Sequence, residues 1–288
     1  MISKVLVVGA GTMGNGIAQV CAQSGMRVTM TDVTEAAAKK GLAQIEKSLD
    51  RLASKGKISA EQRESALASI SIGTDPAGAS HDVDLVIEAI PERMDLKIEL
   101  LRAVAARAPS HAILGTNTSS LSVTEIAGAS GDPGRVIGLH FFNPVPVMEL
   151  LEIVRGLGTS DATVAAARAL ATQIGKRSIV VKDAPGFATS RLGVILGCEA
   201  IRMLESGVAS AEDIDLAMEL GYRHPMGPLR LTDLVGLDVR LAILDHLHRE
   251  LGEQFRAPSL LRQMVRAGRL GKKVGRGFYE YPEVEKKS

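Results

Sequence analysis

Through the first two-thirds of the chain, short apolar runs rich in β-branched residues alternate with longer stretches of helical period. The runs are KVLVVGA, RVTMTD, DLVIEAI, HAILGTN, RVIGLHF, MELLEIV and SIVVKD. Strands of near-continuous apolar character separated by helices predict a mostly parallel sheet covered on both faces. The second and third runs are separated by an unusually long connection, residues 33 to about 70. Within it Leu42, Ile45, Leu49 and Leu52 recur at helical spacing, which predicts a helical hairpin inserted after the second strand. After KDAPGF the strand signals stop. Residues 186 to 270 read as helices broken by Gly and Pro, as in GYRHPMGP. The pattern therefore predicts an α/β domain over 1–184 followed by an all-α domain over 185–288, with the tail EVEKKS frayed.

Composition narrows the class. A chain of 288 residues is long enough for two domains, each with its own core. Lys and Arg number 34 against 33 acidic residues, so no net charge draws the protein to nucleic acid. The two cysteines, Cys21 and Cys198, lie in apolar helical segments and read as small buried hydrophobes, so a disulfide framework is not expected. The N-terminal apolar run is short and merges into a glycine motif, so no signal peptide is read. No stretch approaches the ~18 apolar residues of a membrane span. A cytoplasmic protein with neither nucleic-acid nor membrane partner is expected.

That glycine motif supplies the first chemistry. Gly9, Gly11 and Gly14 fit G-x-G-x-x-G between the first strand and a helix. A tight strand-to-helix turn alone could require the same residues. The context argues for a Rossmann-type dinucleotide site: Gly9 permits the turn, Gly11 lets the backbone approach a pyrophosphate, and Gly14 allows close packing. Asp32 ends the next strand about 20 residues on, where a carboxylate can bind ribose hydroxyls and repel a 2′-phosphate, so NAD is expected over NADP. Among six histidines, His140 stands out because it ends a strand, where open α/β sheets place their ligands. As a general base it could take a hydroxyl proton; a core histidine bonded to backbone is the competing reading.

The strings GAGTMG, EAIPERMDLK, NTSSL, GLHFFNPVPVMELLE, DAPGF, HPMGPLRLTDLVGLD and GKKVGRGFYEY, in this order along essentially the whole chain, resemble the 3-hydroxyacyl-CoA dehydrogenases of the 3-hydroxybutyryl-CoA type. The resemblance implies NAD-dependent oxidation of (S)-3-hydroxyacyl-CoA, or the reverse reduction, with a short acyl chain. It implies His140 as the catalytic base, oriented by Glu152, and Ser119 as a substrate contact. Cofactor contacts would fall on Gly9, Ala10, Gly11, Thr12, Met13 and Gly14, and on Asp32, Glu92, Lys97, Asn143 and Lys273. Asn117, at the end of the strand before Ser119, is expected to face the cofactor too. CoA contacts would fall at Ser48 and Lys55, and no metal site is expected. Pairing into a homodimer through the helical domain is implied, with LRLTDLVGLDVRLAILDHL supplying part of the surface; an intramolecular core is the alternative for that stretch.

One position departs from the family pattern. Relatives read PGF-x-x-N-R where this chain has Ser190 before Arg191. Serine is shorter and lacks the amide's second donor, so a substrate contact there would be modulated, by ~0.5–1.5 kcal/mol, and a water could bridge it. Ser190 also reads as a helix cap. Two other functions fit parts of the sequence: a related dehydrogenase of free hydroxy acids, of the gulonate-oxidising lambda-crystallin type, and a non-catalytic dinucleotide-binding protein.

Overall fold

The computed structural model describes residues 1–281, so the expectation for the tail lies outside it. The chain forms two compact units, Met1–Ala184 and Pro185–Ser288. The first contains eight strands and seven α-helices among the described residues: β1 (Lys4–Val8), α1 (Thr12–Gln23), β2 (Arg27–Thr31), α2 (Glu35–Ser54), α3 (Ala60–Ala68), β3 (Ile70–Gly73), α4 (Pro76–Ala79), β4 (Leu85–Glu88), α5 (Met94–Ala105), β5 (Ile113–Thr116), α6 (Val123–Gly128), β6 (Val136–Phe141), β7 (Leu150–Arg155), α7 (Asp161–Gln173) and β8 (Arg177–Lys182).

The strands form one sheet in the order β3-β2-β1-β4-β5-β6-β7-β8. Its two faces are legible in β1, where Val5 and Val7 pack with Ile17, Cys21, Ile45 and Leu170, while Leu6 and Val8 pack with Leu101, Val104 and Ile126. Alternation along a strand thus feeds two helical layers, the arrangement a parallel sheet requires. From β1 the chain first builds outward through β2 and β3, then returns to place β4 on the other side of β1. That reversal opens a crevice at the strands' carboxyl ends. The inserted hairpin is present as α2 and α3, with Ile45 and Leu49 fully buried. The hairpin is followed by β3, a four-residue edge strand that the sequence pattern did not separate from the helical insert, because ISIG is too short to show a period.

The pair β6–β7 is antiparallel, and every other neighbouring pair is parallel. The cause is the connection: residues 142–149 are too few for a crossover helix. The consequence is a register that sets His140 opposite Glu152.

The second unit holds α8 (Thr189–Glu205), α9 (Ala211–Gly221), α10 (Pro228–Val235), α11 (Leu237–Leu251) and α12 (Ser259–Arg266) around Val194, Ile201, Leu229, Leu237, Leu244, Leu247 and Leu261. Two buried acids fasten its end. Asp233 accepts from the backbone N–H of Phe278 and Tyr279 and from the Tyr281 hydroxyl, while Asp215 accepts from the N–H of Leu229 and Arg230 and from the Tyr279 hydroxyl. A Cβ at Gly277 would lie 2.0 Å from Asp233 Oδ1, so GRGFYEY is a clamp sequence. The capping reading of Ser190 is corrected here: Ala188 is the N-cap of α8, with no side-chain capping bond, and Ser190 is the second residue inside the helix. LRLTDLVGLDVRLAILDHL serves the unit's own core through Leu229, Leu237, Leu244 and Leu247, while Leu234 and Val239 stay exposed.

Candidate active site

The glycine loop carries three different constraints. Gly9 has φ +99°, and a Cβ on it would meet the Ala89 carbonyl oxygen at 2.6 Å; a Cβ on Gly14 would lie 1.7 Å from the Gly9 oxygen. Both positions are therefore closed to any side chain. At Gly11 nothing lies within 4 Å, so its bare backbone faces open space at the start of α1. Asp32 closes the loop from β2, its carboxylate accepting from the N–H of Ala10 and of Val33, each at 2.7 Å.

Two cavities flank this loop. One, about 760 Å³, is lined by Gly9, Gly11, Thr12, Met13, Asp32 and the apolar side chains of Ile90, Leu96 and Leu100. The other, about 520 Å³, runs past Ala10, Gly11 and Thr12 to Lys40, Ser48 and Arg51 of α2 and to Asn143. An open helix N-terminus, an apolar slot and a carboxylate at the next strand end fit a dinucleotide.

At the end of β4 an ionic chain runs from the buried Glu88 and Lys97 out to the exposed Glu92. Lys97, on α5 and 1% exposed, donates to Glu88 Oε1 at 2.6 Å and pairs with Glu92 Oε2 at 3.2 Å. Glu88 also accepts from the Thr116 hydroxyl and the Ile90 N–H. The other oxygen of Glu92 accepts from the Thr118 hydroxyl at 2.6 Å and from the Ser119 N–H at 2.8 Å. Burial pushes the Glu92 carboxyl up, but the Lys97 charge and these hydrogen bonds outweigh it and hold the group below its usual range. Thus Glu92 orders the loop that carries Ser119. Glu88 and Thr118 were missed at the sequence level; a glutamate closing the apolar run DLVIEAI was the available signal.

His140 and Glu152 meet as the β6–β7 register requires. Nδ1 of His140 lies 2.8 Å from Glu152 Oε2, and Glu152 is fully buried. A carboxylate on Nδ1 selects the tautomer with that nitrogen protonated, leaving Nε2 as the basic atom of the ring. The Phe142 ring lies 4.4 Å from the imidazole.

The remaining expected residues fall in three places. Asn117 accepts from the Phe141 N–H at 2.9 Å and so ties the ends of β5 and β6 together. Asn143 lies in the segment before β7, which is held by Lys176 through the carbonyls of Val145 and Met148 at 2.8 and 2.6 Å. Ser48 lines the cavity with Asn143, whereas Lys55 is an exposed residue at the C-cap of α2. Lys273 and Ser190 belong to the second unit, where Lys273 pairs with Asp238 at 2.6 Å. Both cysteines are buried and free. Among the described residues no helix is long and apolar enough to cross a membrane.

Comparison with known proteins agrees with this geometry. Residues 4–184 match the model of the 3-hydroxyacyl-CoA dehydrogenase NAD-binding domain, and residues 186–281 match that of the C-terminal domain of the same family. A probable 3-hydroxybutyryl-CoA dehydrogenase from Bacillus subtilis is 48% identical over 283 residues, covering 98% of both chains. One from Deinococcus radiodurans is 45% identical, covering 96% of this chain and all of that protein. The crystal structure of (S)-3-hydroxybutyryl-CoA dehydrogenase from Ralstonia eutropha superposes with a TM-score of 0.95 at 46% identity, over 98% of this chain and 100% of that one. The chain therefore belongs to the 3-hydroxyacyl-CoA dehydrogenase family of NAD-dependent oxidoreductases.

Proposed function

We propose that this enzyme interconverts short-chain (S)-3-hydroxyacyl-CoA and 3-oxoacyl-CoA, with His140 as the proton-transferring group. The observation that carries the reading is the His140–Glu152 pair, 2.8 Å apart at the end of β6. NAD, when bound, supplies the hydride acceptor. Gly9–Gly14 and Asp32 hold its pyrophosphate and ribose, and the apolar slot beside Ile90 and Leu100 takes the adenine end. Glu152 keeps Nδ1 of His140 protonated and stabilises the imidazolium, as a buried carboxylate does in a catalytic triad. Nε2 takes the proton from the 3-hydroxyl during oxidation and returns it to the forming alkoxide during reduction. Ser119, fixed by Glu92, hydrogen-bonds the same oxygen. Lys40, Ser48 and Arg51 offer cations and a hydroxyl to the phosphate-bearing end of CoA. Ser190 contacts the acyl portion with shorter reach than an asparagine. The exposed Leu234 and Val239 of the second unit favour pairing into a homodimer through that unit.

The test is the oxidation of NADH by purified protein in the presence of acetoacetyl-CoA, with free acetoacetate as the comparison. CoA-dependent turnover supports the reading. Turnover of the free acid at equal kcat/KM would favour a hydroxy-acid dehydrogenase, and NADH binding with no turnover would overturn the catalytic assignment.

A further inference from the structure

The connector between β6 and β7, residues 142–149, carries Asn143 with little packing of its own. Val145 alone in it is buried, while Val147 is 71% and Met148 39% exposed. The connector also separates two cavities. Asn143, Val145 and Pro146 line the 520 Å³ space together with Gly11, Ser48 and Arg51. Pro146, Val147 and Met148 line a second cavity, about 230 Å³, together with Gln23 and Ser24. A segment with open space on two sides is not placed by side-chain packing alone.

Lys176 supplies what packing does not. It lies between α7 and β8, and its Nζ donates to the carbonyls of Val145 at 2.8 Å and Met148 at 2.6 Å. Between those carbonyls the chain forms a turn, in which the N–H groups of Val147 and Met148 donate to the Pro144 carbonyl at 2.9 and 3.0 Å. The lysine therefore grips both ends of the turn. From α1 the fit is close: a Cβ on Gly16 would lie 2.8 Å from the Cβ of Val145. Lys176 is itself 9% exposed, and no carboxylate among the described residues acts on it. A buried ammonium without a counter-charge is costly, and an apolar side chain of similar volume would avoid that penalty. Its partners are the two carbonyls and, 6.0 Å away, the ring of Phe141. All three belong to the stretch that joins His140 to Glu152.

We propose that Lys176 is a positioning residue, which fixes the β6–β7 connector as a wall of the cavity assigned to CoA. This rests on the 3-hydroxyacyl-CoA reading and adds to it a residue outside the cavity. The His140–Glu152 pair is set by the β6–β7 register, so the effect of Lys176 falls on substrate binding and not on proton transfer.

The experiment compares acetoacetyl-CoA with acetoacetyl-pantetheine, which has the same reacting end but lacks the phosphate-bearing nucleotide, at saturating NADH. The readout is the ratio of kcat/KM for the CoA ester over the pantetheine ester, which does not depend on the active fraction of a preparation. Lys176→Met is expected to lower this ratio about tenfold through the KM for acetoacetyl-CoA, with kcat within about threefold of the wild type. Lys176→Arg, which keeps the charge and the donors, is expected to recover part of the loss. An unchanged ratio in Lys176→Met overturns the inference however far Tm falls, because a merely structural lysine affects both esters equally. A loss in Lys176→Arg as large as in Lys176→Met overturns it too. Hydrogen exchange of the wild type needs no variant to fold: the amides of Val147 and Met148 are expected to exchange at least about 100-fold more slowly than in an unfolded chain, and exchange at the unfolded rate would show that the turn is not held. Failure of the wild type to reduce acetoacetyl-CoA would instead refute the underlying 3-hydroxyacyl-CoA reading.

Discussion

Replacing Lys97 by methionine removes the cation between Glu88 and Glu92 while keeping most of the buried side-chain volume. Glu88 is 2% exposed and sits 2.6 Å from the ammonium. Without it, the carboxylate retains only the Thr116 hydroxyl and the Ile90 N–H. Removing one partner of a buried pair typically costs about 3–5 kcal/mol, because the remaining charge is left uncompensated. For a unit of this size each kcal/mol lowers Tm by about 2–4 °C, so a fall of roughly 6–20 °C is expected. Thermal and urea unfolding followed by circular dichroism would measure it, together with Glu88→Gln and the double variant. Since a neutral glutamine has no need of a cation, the double variant is expected to lose clearly less than the sum of the two single changes. A Lys97→Met loss below about 1 kcal/mol, or strict additivity, would refute the claim that Glu88 depends on Lys97.

Two further outcomes follow from the same geometry. Gly11→Ala meets no atom within 4 Å at a non-positive φ, so stability is expected to stay within about 0.5 kcal/mol while the KM for NADH rises at least about tenfold; unfolding would show the glycine to be structural instead. Glu92, held below its usual 4.5, contributes stability that is fully present above about pH 4.5 and lost as pH falls through its lowered folded-state value. Glu92→Gln should therefore flatten the acid limb of the unfolding curve, and an unchanged limb would remove Glu92 from the account.

Much of this site was readable because its parts obey local rules. The glycine loop, the strand-end Asp32 and His140 announce themselves by position, whereas Glu152 was implied only by the family resemblance; the structure supplies the reason it meets His140, an antiparallel return forced by the short connection after β6. What escaped the sequence depends on packing between distant elements. Glu88 closes an apolar strand and looks like the solvent end of DLVIEAI, until α5 lays Lys97 over it. β3 is four residues at a sheet edge and carries no period of its own. Ser190 has the composition of a cap, but the chain enters α8 through Ala188, two residues earlier than a cap at Ser190 would need.

The proposed reaction depends on His140 moving the proton. The most direct measurement is kcat/KM for NADH-dependent reduction of acetoacetyl-CoA by His140→Gln beside the wild type, with NADH binding measured on the same preparations. A fall of about 10²- to 10⁴-fold is expected, with cofactor binding retained. A variant that binds NADH and turns over within about tenfold of the wild type would contradict it.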